Sequence, residues 1–81
     1  MKIKSIRYIR DSMFEIEFDS GTIAQFDISP YLNSEVFAAL NDPHECSKIH
    51  NGKYFVEWEC GADLSIDTII ALISKKGSVS A

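Results

Sequence analysis

Few features of this sequence suggest covalent bracing or metal chemistry. It has two cysteines, Cys46 and Cys60, in 81 residues, too few for a disulfide scaffold, and neither belongs to a C-x-x-C pair. In a reducing cytosol such residues read as small buried hydrophobes. No run approaches the ~18–20 apolar residues that cross a bilayer, and the opening Met1-Lys2-Ile3-Lys4-Ser5-Ile6-Arg7 contains no apolar leader. The expectation is therefore a cytoplasmic protein with no membrane contact. Positive charge is scarce, eight Lys and Arg against twelve Asp and Glu for a net charge of −4. That balance disfavours nucleic acid as the default partner, because such affinity comes mainly from cations neutralising phosphates. There is no G-x-G-x-x-G, P-loop or G-x-S-x-G elbow, so no nucleotide, cofactor or serine-hydrolase chemistry is expected.

The remainder of the composition is that of a globular domain, 46% hydrophobic and 25% charged, far from the disordered regime. A chain this short buries only about 60–65% of its unfolded surface. Such a core rarely supplies more than roughly 3–5 kcal/mol, which makes self-association or a small protein partner physically attractive. Residues 1–77 read as one domain and 78–81 as a flexible tail, with no internal repeat.

Phe14, Ile16 and Phe18 alternate with Glu15, Glu17 and Asp19, the period of a half-buried strand. Residues 4–10 read as a partner joined at Asp11-Ser12, and 22–28 as a third strand joined at Asp19-Ser20-Gly21. A three-residue loop with Gly21 left-handed sets Phe18 opposite Thr22, Ile16 opposite Ala24 and Phe14 opposite Phe26, all apolar on one face. For the first turn, pairing of Tyr8 with Glu15, Ile6 with Glu17 and Lys4 with Asp19 is expected. Ser29-Pro30 ends the third strand, and Ser34 caps a short helix over 35–40 with Val36, Phe37 and Leu40 as its apolar face, closed by Asn41-Asp42-Pro43. Asn51-Gly52 then joins strands at 46–50 and 54–59. The last strand runs through Glu57 to Leu64 into a helix with Ser65 as N-cap, Asp67 in its first turn, Lys75 and Lys76 in its last and Gly77 just past its end. Ile66, Ile69, Ile70 and Ile73 form its stripe. The expected fold is α+β, an antiparallel sheet of about five strands in the order β-β-β-α-β-β-α, with the C-terminal helix packed on the sheet.

No chemistry-bearing set converges in this pattern. His44, Cys46, His50 and Cys60 are the soft-metal candidates, yet on an extended strand Cys46 and His50 lie ~13 Å apart at ~3.3 Å per residue, too far to share an ion. No metal site is expected. Glu15, Glu17 and Asp19 form an ordinary solvated strand face. Tyr31 beside the Pro30 turn and Trp58 at a strand end are types favoured at protein interfaces, and with Asp27 and Asp63 they make the candidate partner surface. Asp63 is also suited to hydrogen-bond the orphan amides before Ser65. Lys2, Lys4, Arg7 and Arg10 form the candidate nucleic-acid contact, though lysines on an edge strand also discourage aggregation.

Four segments carry a family resemblance: Phe18-Asp19-Ser20-Gly21, then Asp27-Ile28-Ser29-Pro30-Tyr31-Leu32, then Val36-Phe37-Ala38-Ala39-Leu40-Asn41-Asp42-Pro43, and finally Trp58-Glu59-Cys60-Gly61-Ala62-Asp63-Leu64. Through them nearly the whole chain resembles the domain of unknown function 2442 family, small and mostly bacterial proteins. Two positions depart from it: Cys46, where such proteins usually have phenylalanine, and Ile66, where a proline commonly begins the helix. The resemblance implies a compact α+β domain with no established activity, hence no catalytic residue to carry over. It also implies a setting in which members are often encoded beside another small protein, like a two-component or antitoxin pair.

The leading expectation is a non-catalytic interaction module, binding itself or a small protein partner. The alternatives are a nucleic-acid-associated regulator using the N-terminal basic strand, and an enzyme with a site drawn from Asp27, His44, His50, Cys60 or Asp63.

Overall fold

The computed structural model describes the backbone of residues 1–80 and the side chains of residues 1–73. The chain forms β1 (Ile3–Arg10), β2 (Met13–Phe18) and β3 (Ile23–Asp27), 3-10 segments at Ser29–Tyr31 and Glu35–Asn41, α1 (Pro43–Cys46), β4 (Ile49–Asn51), β5 (Phe55–Trp58), β6 (Asp63–Ser65) and α2 (Ile66–Ser80). The α+β class holds, but the single five-stranded sheet does not. There are two antiparallel three-stranded sheets, β1-β2-β3 and β4-β5-β6.

The β2–β3 register is the expected one, with Phe14 opposite Phe26 and Ile16 opposite Ala24. The loop between them is closed by Phe18 N–H donating to Thr22 O at 2.9 Å and Gly21 N–H to Phe18 O at 2.9 Å, with Gly21 at φ +92°. The same loop recurs at residues 59–61. Trp58 N–H donates to Ala62 O at 2.9 Å, Gly61 N–H to Trp58 O at 2.9 Å, and Gly61 sits at φ +100°. The chain therefore reverses where a continuous strand was expected, which creates β6 as a third strand of the second sheet. No internal repeat was expected, yet Phe18-Asp19-Ser20-Gly21 and Trp58-Glu59-Cys60-Gly61 share the pattern aromatic, acid, small, glycine. A Cβ added at either glycine meets nothing within 4 Å, so the cost of a side chain there is backbone strain alone. Gly21→Ala and Gly61→Ala should each lower stability by about 1–2 kcal/mol in urea unfolding, and asparagine should cost less because it tolerates positive φ. Equal losses for alanine and asparagine would contradict this account.

The first hairpin departs from its expected register. Tyr8 faces Phe14, Ile6 faces Ile16 and Ile3 faces Phe18, with irregularities between Ile3 and Ser5 and between Tyr8 and Arg10. Opposed residues share a face, so the expected pairing would have turned Ile6 and Tyr8 to solvent. One extra residue near Ile9 shifts the strand and returns both side chains to the core, and another near Lys4 sets Ile3 opposite Phe18.

Two further corrections concern the connection. Asp42-Pro43 does not simply end the preceding segment. Asp42 accepts a hydrogen bond from His44 N–H at 3.0 Å and Pro43 takes the first helical position, so α1 begins there and Cys46 is helical. Residues 35–41 are 3-10 rather than α-helical, and a three-residue turn aligns Phe37 with Leu40 toward the core while Val36 is left outside. Finally, α2 continues through Gly77, which costs about 1 kcal/mol relative to alanine inside a helix without forbidding it. Of the expected tail, residues 78–80 continue this helix and Ala81 lies outside the described residues.

The two sheets meet at β1 and β4. Asn51 Nδ2 donates to Ile3 O at 3.0 Å and Lys4 O at 3.4 Å, its Oδ1 accepts from Lys53 N–H at 2.7 Å, and Ile3 N–H donates to Lys53 O at 2.7 Å. Asn51-Gly52 lies at the expected turn, and the positive φ there is taken by Lys53, at φ 74°. Gly52 serves another purpose: the Phe55 ring lies over its backbone where a Cβ would stand. Inside, an aromatic chain crosses from sheet to sheet. Tyr8 contacts Phe14, which stacks on Phe26 at 5.4 Å and meets Trp58 edge-on at 5.6 Å, and Trp58 meets Phe37 at 6.1 Å. α2 packs against β3 and β6 and contributes the buried Ile66 and Ile69.

Candidate functional site

The structure disperses the expected site residues. Trp58 belongs to the core: it is 2% exposed, and its indole N–H donates to Cys46 O at 2.9 Å. Tyr31 is half-buried, its ring 5.4 Å from Phe37. Asp27 is a tie-point at the end of β3. Its Oδ1 accepts from the Ser12 hydroxyl and from Ser29 N–H, the latter at 2.8 Å, locking the β1–β2 turn to the first 3-10 segment.

Asp63 stands exposed on β6 opposite Glu57, and no hydrogen bond to its carboxylate is found among the described residues. As expected, the helix start is capped by Ser65, whose Oγ accepts from Thr68 N–H at 3.3 Å. Two acids directly opposed on a sheet repel. Asp63→Asn should therefore leave stability within about 0.5 kcal/mol of the parent, on the neutral or favourable side. A loss above about 1 kcal/mol by urea denaturation would mean the carboxylate holds the turn after all.

The basic strand is interleaved with acids. Arg7 reaches Glu15 at 3.0 Å and Lys4 reaches Glu17 at 3.7 Å. Lys2 and Arg10 are exposed, and neither has an ion pair among the described residues. The outer face of β1 and β2 is thus a charge-balanced surface rather than a cationic strip.

The residues considered for chemistry also stand apart. His44 is exposed on α1, and Cys60 is exposed in the 59–61 loop. His50 Nε2 meets Glu59 Oε2 at 3.3 Å, with both side chains more than half open to water. Cys46 is buried, and burial, aided by the neighbouring Cys60, pushes its thiol up to about 11. Among the described residues no three His, Cys, Asp or Glu side chains are placed to share an ion, and no helix is long and apolar enough to cross a membrane.

What sequence reasoning did not flag is an open groove of about 350 Å³ between the N-terminus, the β4–β5 turn and the start of α2. It is lined by Met1, Tyr54, Ser65, Ile66, Asp67 and Ile70. Met1 is 66% exposed, Tyr54 56% and Ile70 37%. Ile70 was expected to pack on the sheet with the rest of its stripe. Ile66 and Ile69 are buried and Ile73 packs partly against the core, while Ile70 is left open to water. Ile66 N–H donates to Tyr54 O at 3.2 Å, which fixes the groove floor to both elements.

A family model described as "Protein of unknown function (DUF2442)" matches residues 3–75. The chain belongs to this family. No curated protein and no solved structure matches it. The DUF2442 match runs from the first residue of β1 into α2, so it spans both sheets, the seam between them and all of the groove except Met1.

Proposed function

We propose that the protein is a non-catalytic interaction module that takes an apolar segment of a small protein partner into the groove between Tyr54 and α2. The observation that carries this reading is the exposure of Met1, Tyr54 and Ile70 around one concavity. A chain short of core does not gain by leaving large apolar side chains in water unless something else covers them. The dispersal of Asp27, His44, His50, Cys60 and Asp63 supports the non-catalytic part, since none of the five lines the groove and acid–base work needs groups within hydrogen-bond reach of one substrate. A pairing with a second small protein, as the family resemblance implies, suits such a groove.

The test is affinity capture from the source-cell lysate with the parent chain and with Ile70→Asp and Tyr54→Asp, which alter exposed side chains. The reading expects one protein bound near stoichiometry by the parent and lost in both variants, with melting curves unchanged. Equal capture by parent and variants, or no capture by the parent, would overturn it.

A further inference from the structure

We infer that β3 is a self-pairing edge, along which two copies of the chain associate antiparallel about a two-fold axis at Gln25 to join their three-stranded sheets into one. This goes beyond the groove reading and uses a different surface.

The argument begins with backbone accounting. Phe18 N–H donates to Thr22 O and Ile28 N–H donates to Ser12 O at 3.0 Å, and between these bonds Ala24 and Phe26 lie opposite Ile16 and Phe14. In an antiparallel ladder the residues bonded to the neighbour alternate with those turned away. Residues 24 and 26 therefore face β2, and the N–H and C=O of Ile23 and Gln25 point out from the edge. Such a row is a template for another strand unless something blunts it.

α2 packs against β3 where Phe26 and Ile69 are both buried in the core and leaves Ile23 and Gln25 exposed, whereas the other edges are blunted. That of β1 carries two irregularities and is closed by β4 through Asn51 and Lys53. β6 has three residues, one of them the exposed Asp63 and another the capping Ser65. β3 has five residues in unbroken register, with no proline or lysine among Ile23, Ala24, Gln25, Phe26 and Asp27. Ile23 is 60% exposed.

Charge selects the occupant. The face that would be extended is already neutralised, because Arg7 pairs with Glu15 and Lys4 with Glu17. Two copies therefore meet without like-charge repulsion, although each carries a net charge of −4. The axis brings one Gln25 beside the other, where two primary amides can exchange hydrogen bonds. Ile23 is laid against the far end of the partner's strand.

Sedimentation velocity of the full chain over a concentration series tests the inference, with Gln25→Lys, Gln25→Glu and their equimolar mixture. Residue 25 is an exposed side chain whose backbone N–H is not used within the sheet, so both variants should fold. Each alone should dimerise about tenfold more weakly than the parent, since like charges meet at the axis, and the mixture should recover parental affinity. Slower amide exchange at Ile23 and Gln25 with rising concentration should accompany dimerisation. A parent that stays monomeric to about 1 mM, variants that associate as the parent does, or a mixture that recovers nothing would each overturn the inference. Dimerisation abolished by Ile70→Asp but untouched at position 25 would place self-association in the groove and overturn it likewise. None of these results bears on capture of a small protein partner by the groove.

Discussion

Trp58→Ala is expected to cost about 3–5 kcal/mol, enough to leave much of the chain unfolded at physiological temperature. The indole is the link between halves: it meets Phe14 of the first sheet at 5.6 Å and Phe37 of the 3-10 segment at 6.1 Å, and is 2% exposed. Truncation opens a cavity among aromatic rings held by β2 and the 3-10 segment, which collapse into it only in part. It also strips the Cys46 carbonyl of its donor, at 2.9 Å in the parent, and an unsatisfied buried acceptor adds its own penalty. Trp58→Phe keeps most of the volume and loses the hydrogen bond, so a smaller loss of about 1–3 kcal/mol is expected. Urea unfolding followed by circular dichroism measures both. Near-parental stability of the alanine variant together with abolished partner binding would return Trp58 to the list of interface residues.

Raising the pH from about 9 to about 11 is expected to remove up to roughly 2–3 kcal/mol of stability. Burial, with a smaller contribution from Cys60, lifts the Cys46 thiol from 9.0 to about 11. In the unfolded chain this thiol releases its proton near its ordinary value, whereas in the folded chain it keeps it until well above. Between the two values the folded state binds more protons, so stability is fully present below the lower one and is lost as pH rises through the higher. Tyr8 moves in the same direction, through burial and then the neighbouring Cys46 and Asp11. Cys46→Ala should lower stability at neutral pH but flatten this alkaline decline, as read from urea midpoints between pH 8 and 11. A decline of equal depth in that variant would assign the effect elsewhere. Under native conditions a thiol reagent should modify the exposed Cys60 and reach Cys46 only on unfolding.

The legible part of the fold was that set by short-range pattern. Alternation through Phe14, Ile16 and Phe18, with Gly21 at the turn, specified the β2–β3 register, because a slip by one residue would have exposed the whole apolar set. Ser65 announced the start of α2. Features that leave no compositional mark were lost. An extra residue near Lys4 or Ile9 looks like any other strand residue, although the first decides which way Ile3 points and the second which way Ile6 and Tyr8 do. Asp42-Pro43 is equally good as a stop and as a start. The 59–61 reversal did have signals, Gly61, which suits a tight backbone turn, and the likeness of its sequence to residues 18–21, but residues 57–64 were expected to form one continuous strand. The candidate surface suffered most. Aromatic type pointed to Trp58, while the apolar residues exposed around the groove proved to be Met1, Tyr54 and Ile70, whose common location depends on a turn, a terminus and a helix meeting in space.

The two like-turned meanders also bear on the order of folding. Each hairpin closes between near neighbours, whereas the bond from Asn51 to Ile3 joins positions 48 apart. Chain-closure entropy penalises that contact most, so the meanders should form before the seam does. Asn51→Ala should accordingly speed unfolding and leave the folding rate almost unchanged, a φ-value near zero, whereas Phe14→Leu should slow folding. A φ-value near one at Asn51 would instead make the seam the nucleus, with the hairpins zipping outward from it.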